Sequence, residues 1–70
     1  MANVESPMAG KVLEINVEVG QTITEDDEVI ILEAMKMENP VFAEQGGVVK
    51  EIKVKVGQQI AEGEVIAVLE

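Results

Sequence analysis

The chain has 70 residues, with fourteen acids against five lysines, no histidine and no cysteine, for a formal charge of −9. That length bounds one small domain, and without cysteine there are neither disulfides nor thiolate metal sites. The acidity argues against nucleic acid and anionic membrane surfaces as partners, because both would repel the domain.

The opening stretch "MANVESPMAG" has neither a basic head nor a long apolar run, so no signal peptide is expected. The longest purely apolar run, Val29–Leu32, is far short of the roughly 20 residues a membrane helix needs, so no membrane insertion is expected. The absence of cysteine fits a reducing compartment, and the expected location is cytoplasmic.

Valine and isoleucine total nineteen against three leucines. β-Branched side chains favour strands, because they lose rotamer freedom in helices and pack well on a pleated surface. In chain order, strands are expected near Val4–Ser6, over Lys11–Val17, briefly around Ile23, and over Val29–Glu33. Alternation along the second predicts Leu13, Ile15, Val17 and Val19 on one face, with Glu14, Asn16 and Glu18 on the other. The acidic run Glu25–Glu28 lacks the spaced oxygens and central glycine of a calcium loop and reads as a solvated turn.

Strands are expected again near Met37–Val41, over Val48–Val54, around Ile60 and over Val65–Leu69, with Lys50, Ile52, Val54 and Val56 repeating the earlier phase. The likeness is an internal repeat. Shifted by 37, Gly10–Glu33 lies on Gly47–Glu70 without a gap, and twelve of the 24 positions are identical. They include Val19-Gly20-Gln21 on Val56-Gly57-Gln58 and Leu32-Glu33 on Leu69-Glu70. Short strands with glycines between them indicate an all-β sandwich or barrel. Gly20 and Gly57 are expected to mark bends.

The repeat isolates Ala34–Pro40 as the bridge between halves, and an approximate two-fold between them would make it a hairpin tip. Local propensity points elsewhere, since Glu, Ala, Met and Lys are strong helix formers. A helix over Leu32–Glu38 would be marginal at that length, and Pro40 discourages its extension. A tight turn is therefore expected, with Met35 and Met37 on one side of the ribbon and Lys36 on the other.

A lysine on such a tip is the most protruding nucleophile available. A solvated tip lacks the enclosed apolar surroundings that activate a catalytic lysine. Lys36 is accordingly a poor base or Schiff-base amine and a better acceptor, acylated by another enzyme. The plainer reading is a surface lysine beside gap-filling methionines. An independent enzyme is not expected, because histidine, cysteine and a phosphate-cradling loop are missing.

"EAMKMENP", Glu33 to Pro40, closely resembles the attachment motif of biotinyl domains, as in the biotin carboxyl carrier family. "SPMAGKV" is similar to that family's opening segment, "VGQTI" and "VGQQI" to its paired turns, and "QGGVVKEIKV" to the start of its second half. Lipoyl domains share the weaker segments, but their lysine usually lies in an Asp-Lys-Ala context. The early "thumb" insertion of some carriers has no room here, since Val12 to Glu33 matches its repeat partner in length.

The resemblance implies a flattened barrel or sandwich of two four-stranded antiparallel sheets with an internal pseudo-two-fold. The domain would span 1–70, with halves 1–34 and 37–70 joined by the hairpin carrying Lys36. It further implies that a biotin protein ligase attaches biotin to Lys36, recognising Met35, Met37, Ala34 and Glu33 around it. The implied function is a biotin carboxyl carrier, moving carboxybiotin between a biotin carboxylase and a carboxyltransferase or decarboxylase while catalysing nothing itself. The alternatives are a lipoyl-type acyl carrier and an unmodified structural lipoyl-like sandwich.

Overall fold

The computed structural model describes residues 2–70. Eight strands follow one another: β1 Ala2–Glu5, β2 Gly10–Ile15, β3 Thr22–Ile23, β4 Glu28–Ala34, β5 Met37–Phe42, β6 Gly47–Ile52, β7 Gln59–Ile60 and β8 Val65–Leu69. They form two four-stranded sheets, ordered β1-β8-β6-β3 and β5-β4-β2-β7, and every pairing is antiparallel. The two orders are one pattern: exchanging each strand for the one four places away turns either sheet into the other. This is the expected all-β sandwich. No helix among the described residues is long and apolar enough to cross a membrane.

The interior follows the repeat. Among the described residues the side chains of fifteen apolar residues and Ser6 are buried, and all sixteen fall into eight pairs separated by 37, such as Val12 with Val49, Leu32 with Leu69 and Ser6 with Ala43. One sequence spacing thus fills both sheets' inner faces, and burial of this apolar surface is the main force holding a domain of this size together.

The predicted faces of β2 and β6 need correction. Val12 and Val17 are the buried residues of the first segment, Leu13 and Ile15 are half-buried, and Val19 is 63% exposed. In the second half Val49 and Val54 are buried, Lys50 is exposed and Val56 is again 63% exposed. The cause is a pair of β-bulges. Val12 faces Leu32 and Glu14 faces Ile31, so the register steps over Leu13; Val49 faces Leu69 and Glu51 faces Val68, so it steps over Lys50 in the same way. An extra residue on one strand shifts the two-residue side-chain period and turns the face. A second matched pair of bulges falls at Val29 and Ile66, which is why Val29-Ile30 and Ile66-Ala67 are buried consecutively.

The halves interlock through the paired "VGQ" turns. The Gln21 side chain accepts a hydrogen bond from the Glu18 amide at 3.0 Å, and Gln58 does the same for Lys55 at 3.2 Å. Gly20, at φ +94°, donates across to the Val49 carbonyl at 2.7 Å, and Gly57, at φ +92°, to the Val12 carbonyl at 2.8 Å. Each turn is thereby bonded to the other half's bulged strand. The run Glu25–Glu28 forms a turn and the start of β4, and the Asp27 carboxylate accepts the Thr24 amide at 2.7 Å.

Candidate functional site

The β4–β5 ladder is the longest in the molecule and determines what can stand at its end. Its register runs Ile31 with Pro40, Leu32 with Asn39, Glu33 with Glu38 and Ala34 with Met37. The ladder therefore closes on a loop of only two residues, Met35 and Lys36. Helix propensity loses here for a reason of magnitude. Differences among ordinary residues are at most about 0.7 kcal/mol each, and a helix nucleus is costly. Burying one leucine gains roughly 1.5–3 kcal/mol. Leu32, fully buried, and Val41, 3% exposed, reach the interior only if both strands stay extended. Pro40 is tolerated because β5 is an edge strand, where a missing N–H costs the sheet least.

Met35 lies at φ +54° and Lys36 at φ +63°. A two-residue hairpin loop with both central residues at positive φ is the type I′ pattern, which matches the right-handed twist of the flanking strands. It favours Asn-Gly, and here it holds methionine and lysine, each in the left-handed region at a cost of roughly 1–2 kcal/mol. Because both occupy the apex, the alternation that would set Met35 with Met37 against Lys36 does not apply.

Met35 is 94% exposed and Met37 64% exposed, so neither belongs to the core. Lys36 is exposed and takes part in no hydrogen bond or ion pair among the described residues. Its amine stands at the end of four methylenes on a tip whose backbone is held by a full ladder. The molecule measures 31 × 19 × 18 Å.

Below the apex, Ala34 pairs with Met37 and Glu33 with Glu38. Cross-strand partners share a face, so the two exposed carboxylates lie directly opposite one another, a like-charge arrangement that costs stability. Lys11, registered against Glu33 on its other side, extends the row with a cation. The structure thus brings Glu33, Ala34, Met35, Lys36 and Met37 into one hairpin end. Two further residues belong to this end. Glu38 completes the carboxylate pair, and the Asn39 side-chain amide donates to the Met37 carbonyl at 3.0 Å, bracing the strand just below the turn. The hairpin register, not the repeat, sets Glu38 opposite Glu33, and nothing in the sequence announced the Asn39 bond.

Comparison with known proteins gives a concordant picture. The family model Biotin_lipoyl, described as "Biotin-requiring enzyme", matches residues 2–69. The biotin-dependent acyl-coenzyme A carboxylase alpha3 subunit of Mycobacterium leprae is 52% identical over 44 residues, covering 63% of this chain and 7% of that protein. The biotin carboxyl carrier protein of Streptococcus mutans is 48% identical over 42 residues, covering 60% of this chain and 32% of its own. The chain therefore spans at most about a third of the length of these two relatives. Among solved structures, the urea carboxylase of Kluyveromyces lactis superposes with a TM-score of 0.90 at 33% identity, over 99% of this chain and 6% of that one.

Proposed function

The chain belongs to the biotin/lipoyl attachment family of biotin-requiring enzymes, and from that premise we propose that it is a biotin carboxyl carrier domain with Lys36 as its attachment residue. The observation that supports this most is an exposed amine, unpaired among the described residues, on a two-residue tip between two exposed methionines. The partners of this reading are a biotin protein ligase, a biotin carboxylase, and a carboxyltransferase or decarboxylase. Its setting is the cytoplasm.

The residues present fit the group. An amide to Lys36 Nζ needs an accessible amine and no enclosed pocket, and the tip supplies that. When bound, biotin supplies a ureido nitrogen that accepts and releases a carboxyl group. The chain's own part is mechanical and electrostatic. The β4–β5 ladder holds the Lys36 backbone still, so that the four methylenes and whatever they carry do the moving. Such tethering raises the effective concentration of the carried group at each partner's site. Glu33, Ala34, Met35 and Met37 form the surface on which the ligase closes. Acylation removes the one cation at the apex, leaving the Glu33–Glu38 pair as the dominant local charge.

The test is intact mass after co-expression with a biotin protein ligase. The expected gain is one biotin less one water, lost entirely in Lys36→Ala with the melting temperature unchanged. A lipoyl-sized gain would replace biotin by a lipoyl carrier, and no gain would leave a structural sandwich.

A further inference from the structure

Three features play no part in the carrier reading. One is the open depression between Phe42 and the acids Glu25, Asp26 and Glu44; another is the matched exposure of Val19 and Val56. The third, the sulfur chemistry of the tip, carries furthest. The chain has four methionines and no cysteine, so thioethers are its only sulfur groups. Two of them flank Lys36. Met35 is 94% exposed, because a left-handed turn apex throws its side chain clear of both strands. Met37, on the first residue of β5, is 64% exposed. Met8, by contrast, is partly buried against the core.

We propose that Met35 and, after it, Met37 are sites of reversible oxidation by peroxide, and that their sulfoxides switch off acylation of Lys36. The step balances simply. A sulfur lone pair attacks one peroxide oxygen, an S–O bond forms as the O–O bond breaks, and water leaves; the sulfur is oxidised and the peroxide reduced. A thiol-dependent methionine sulfoxide reductase removes the oxygen as water, and its thiols become a disulfide. Accessibility governs the order, because peroxide must reach the sulfur. The fold is indifferent to the change, since neither side chain helps fill the interior.

Recognition of the tip is not indifferent. A thioether is apolar, and a ligase surface that covers it excludes water at little cost. A sulfoxide carries a strong acceptor oxygen, and the side-chain donor next to it in the chain, the Lys36 amine, is the group the ligase must acylate. Covering that oxygen leaves a polar group unsatisfied. The effect on acylation rests on the attachment reading above; the oxidation order does not.

The experiment exposes the 70-residue chain to hydrogen peroxide, removes the peroxide, and maps oxygen addition by peptide mass. Met35 is expected to oxidise first, Met37 next and Met8 last, with the melting temperature unchanged; Met1, outside the described residues, is read separately. Acylation by a biotin protein ligase should then slow about tenfold and recover after treatment with the reductase. In the Met35→Leu/Met37→Leu double variant the rate, whatever its starting value, should no longer respond to peroxide. Oxidation of Met8 as fast as Met35 would overturn the site. Equal acylation of oxidised and untreated chains, or a peroxide response that survives in the double variant, would overturn the switch. If the untreated chain is never acylated, the attachment reading falls and takes the switch with it, while mapping still decides the oxidation site.

Discussion

Among the described residues every buried side chain has a buried mate 37 positions away, whereas Met35 and Lys36 have no counterpart at all. The two regions are held by different forces. The interior is stabilised by apolar burial distributed equally over both halves. The tip buries nothing, and it keeps an unfavourable backbone conformation at two successive residues. It persists because the ladder beneath it is fixed by Leu32 and Val41. Strain of this kind survives only where surrounding structure over-determines it. The repeated part of the molecule is thus the support, and the unrepeated part is what it holds in place.

That contrast can be broken most forcefully in the core. Leu32→Ala and Leu69→Ala each remove a fully buried side chain at matched positions, and each should cost about 2–5 kcal/mol. A domain of this length has a total stability of roughly 4–10 kcal/mol, so both variants should be marginal at 25 °C. Urea denaturation should give similar losses for the two. A loss confined to one would show that the halves do not share the load. The next effect is smaller. Gly20 and Gly57 have no atom within 4 Å of an added Cβ, so Gly→Ala there introduces only the backbone penalty of φ near +90°. Each should lose roughly 1–2 kcal/mol, and the double variant should lose about the sum. Marked non-additivity would mean that the interlocked turns behave as one unit.

Much of this was legible beforehand, and the parts that were not share a cause. Strand positions follow from β-branched content and alternation, and the hairpin follows from the repeat, because both depend on what the interior must bury. The faces of β2 and β6 were misread because a bulge leaves no residue-specific mark: its extra position is leucine in one half and lysine in the other. The adjacent apolar pairs Val29-Ile30 and Ile66-Ala67 did carry a signal of the second bulge pair, since a strand with one buried face should not bury neighbours. The conformation of the apex was hidden for the opposite reason. Type I′ loops announce themselves by Asn-Gly, and Met-Lys is among the last dipeptides that local preference would place there. The segment looked helical by composition, and only the two-residue gap left by the ladder imposes positive φ.

The smallest effect is the most discriminating, because its sign is reversed. If the ladder forces Met35 into the left-handed region, a residue that enters it readily should relieve strain without touching the core. Met35→Asn places the preferred first residue of a type I′ loop at φ +54°, with a side chain enriched in that region. Stability should rise by about 0.5–1 kcal/mol, part of the left-handed penalty. For a domain of this size that is a rise in melting temperature of roughly 2–8 °C. Met35→Val should move the other way, because a β-branched residue is a poor fit to positive φ. Exposure of 94% rules out a packing explanation for either shift, since there is almost no contact to lose. A calorimetric scan in which Asn is neutral or harmful, or in which Val matches Met, would mean that the apex is relaxed as it stands. The contrast between a supporting interior and a strained tip would then be wrong at its narrower end.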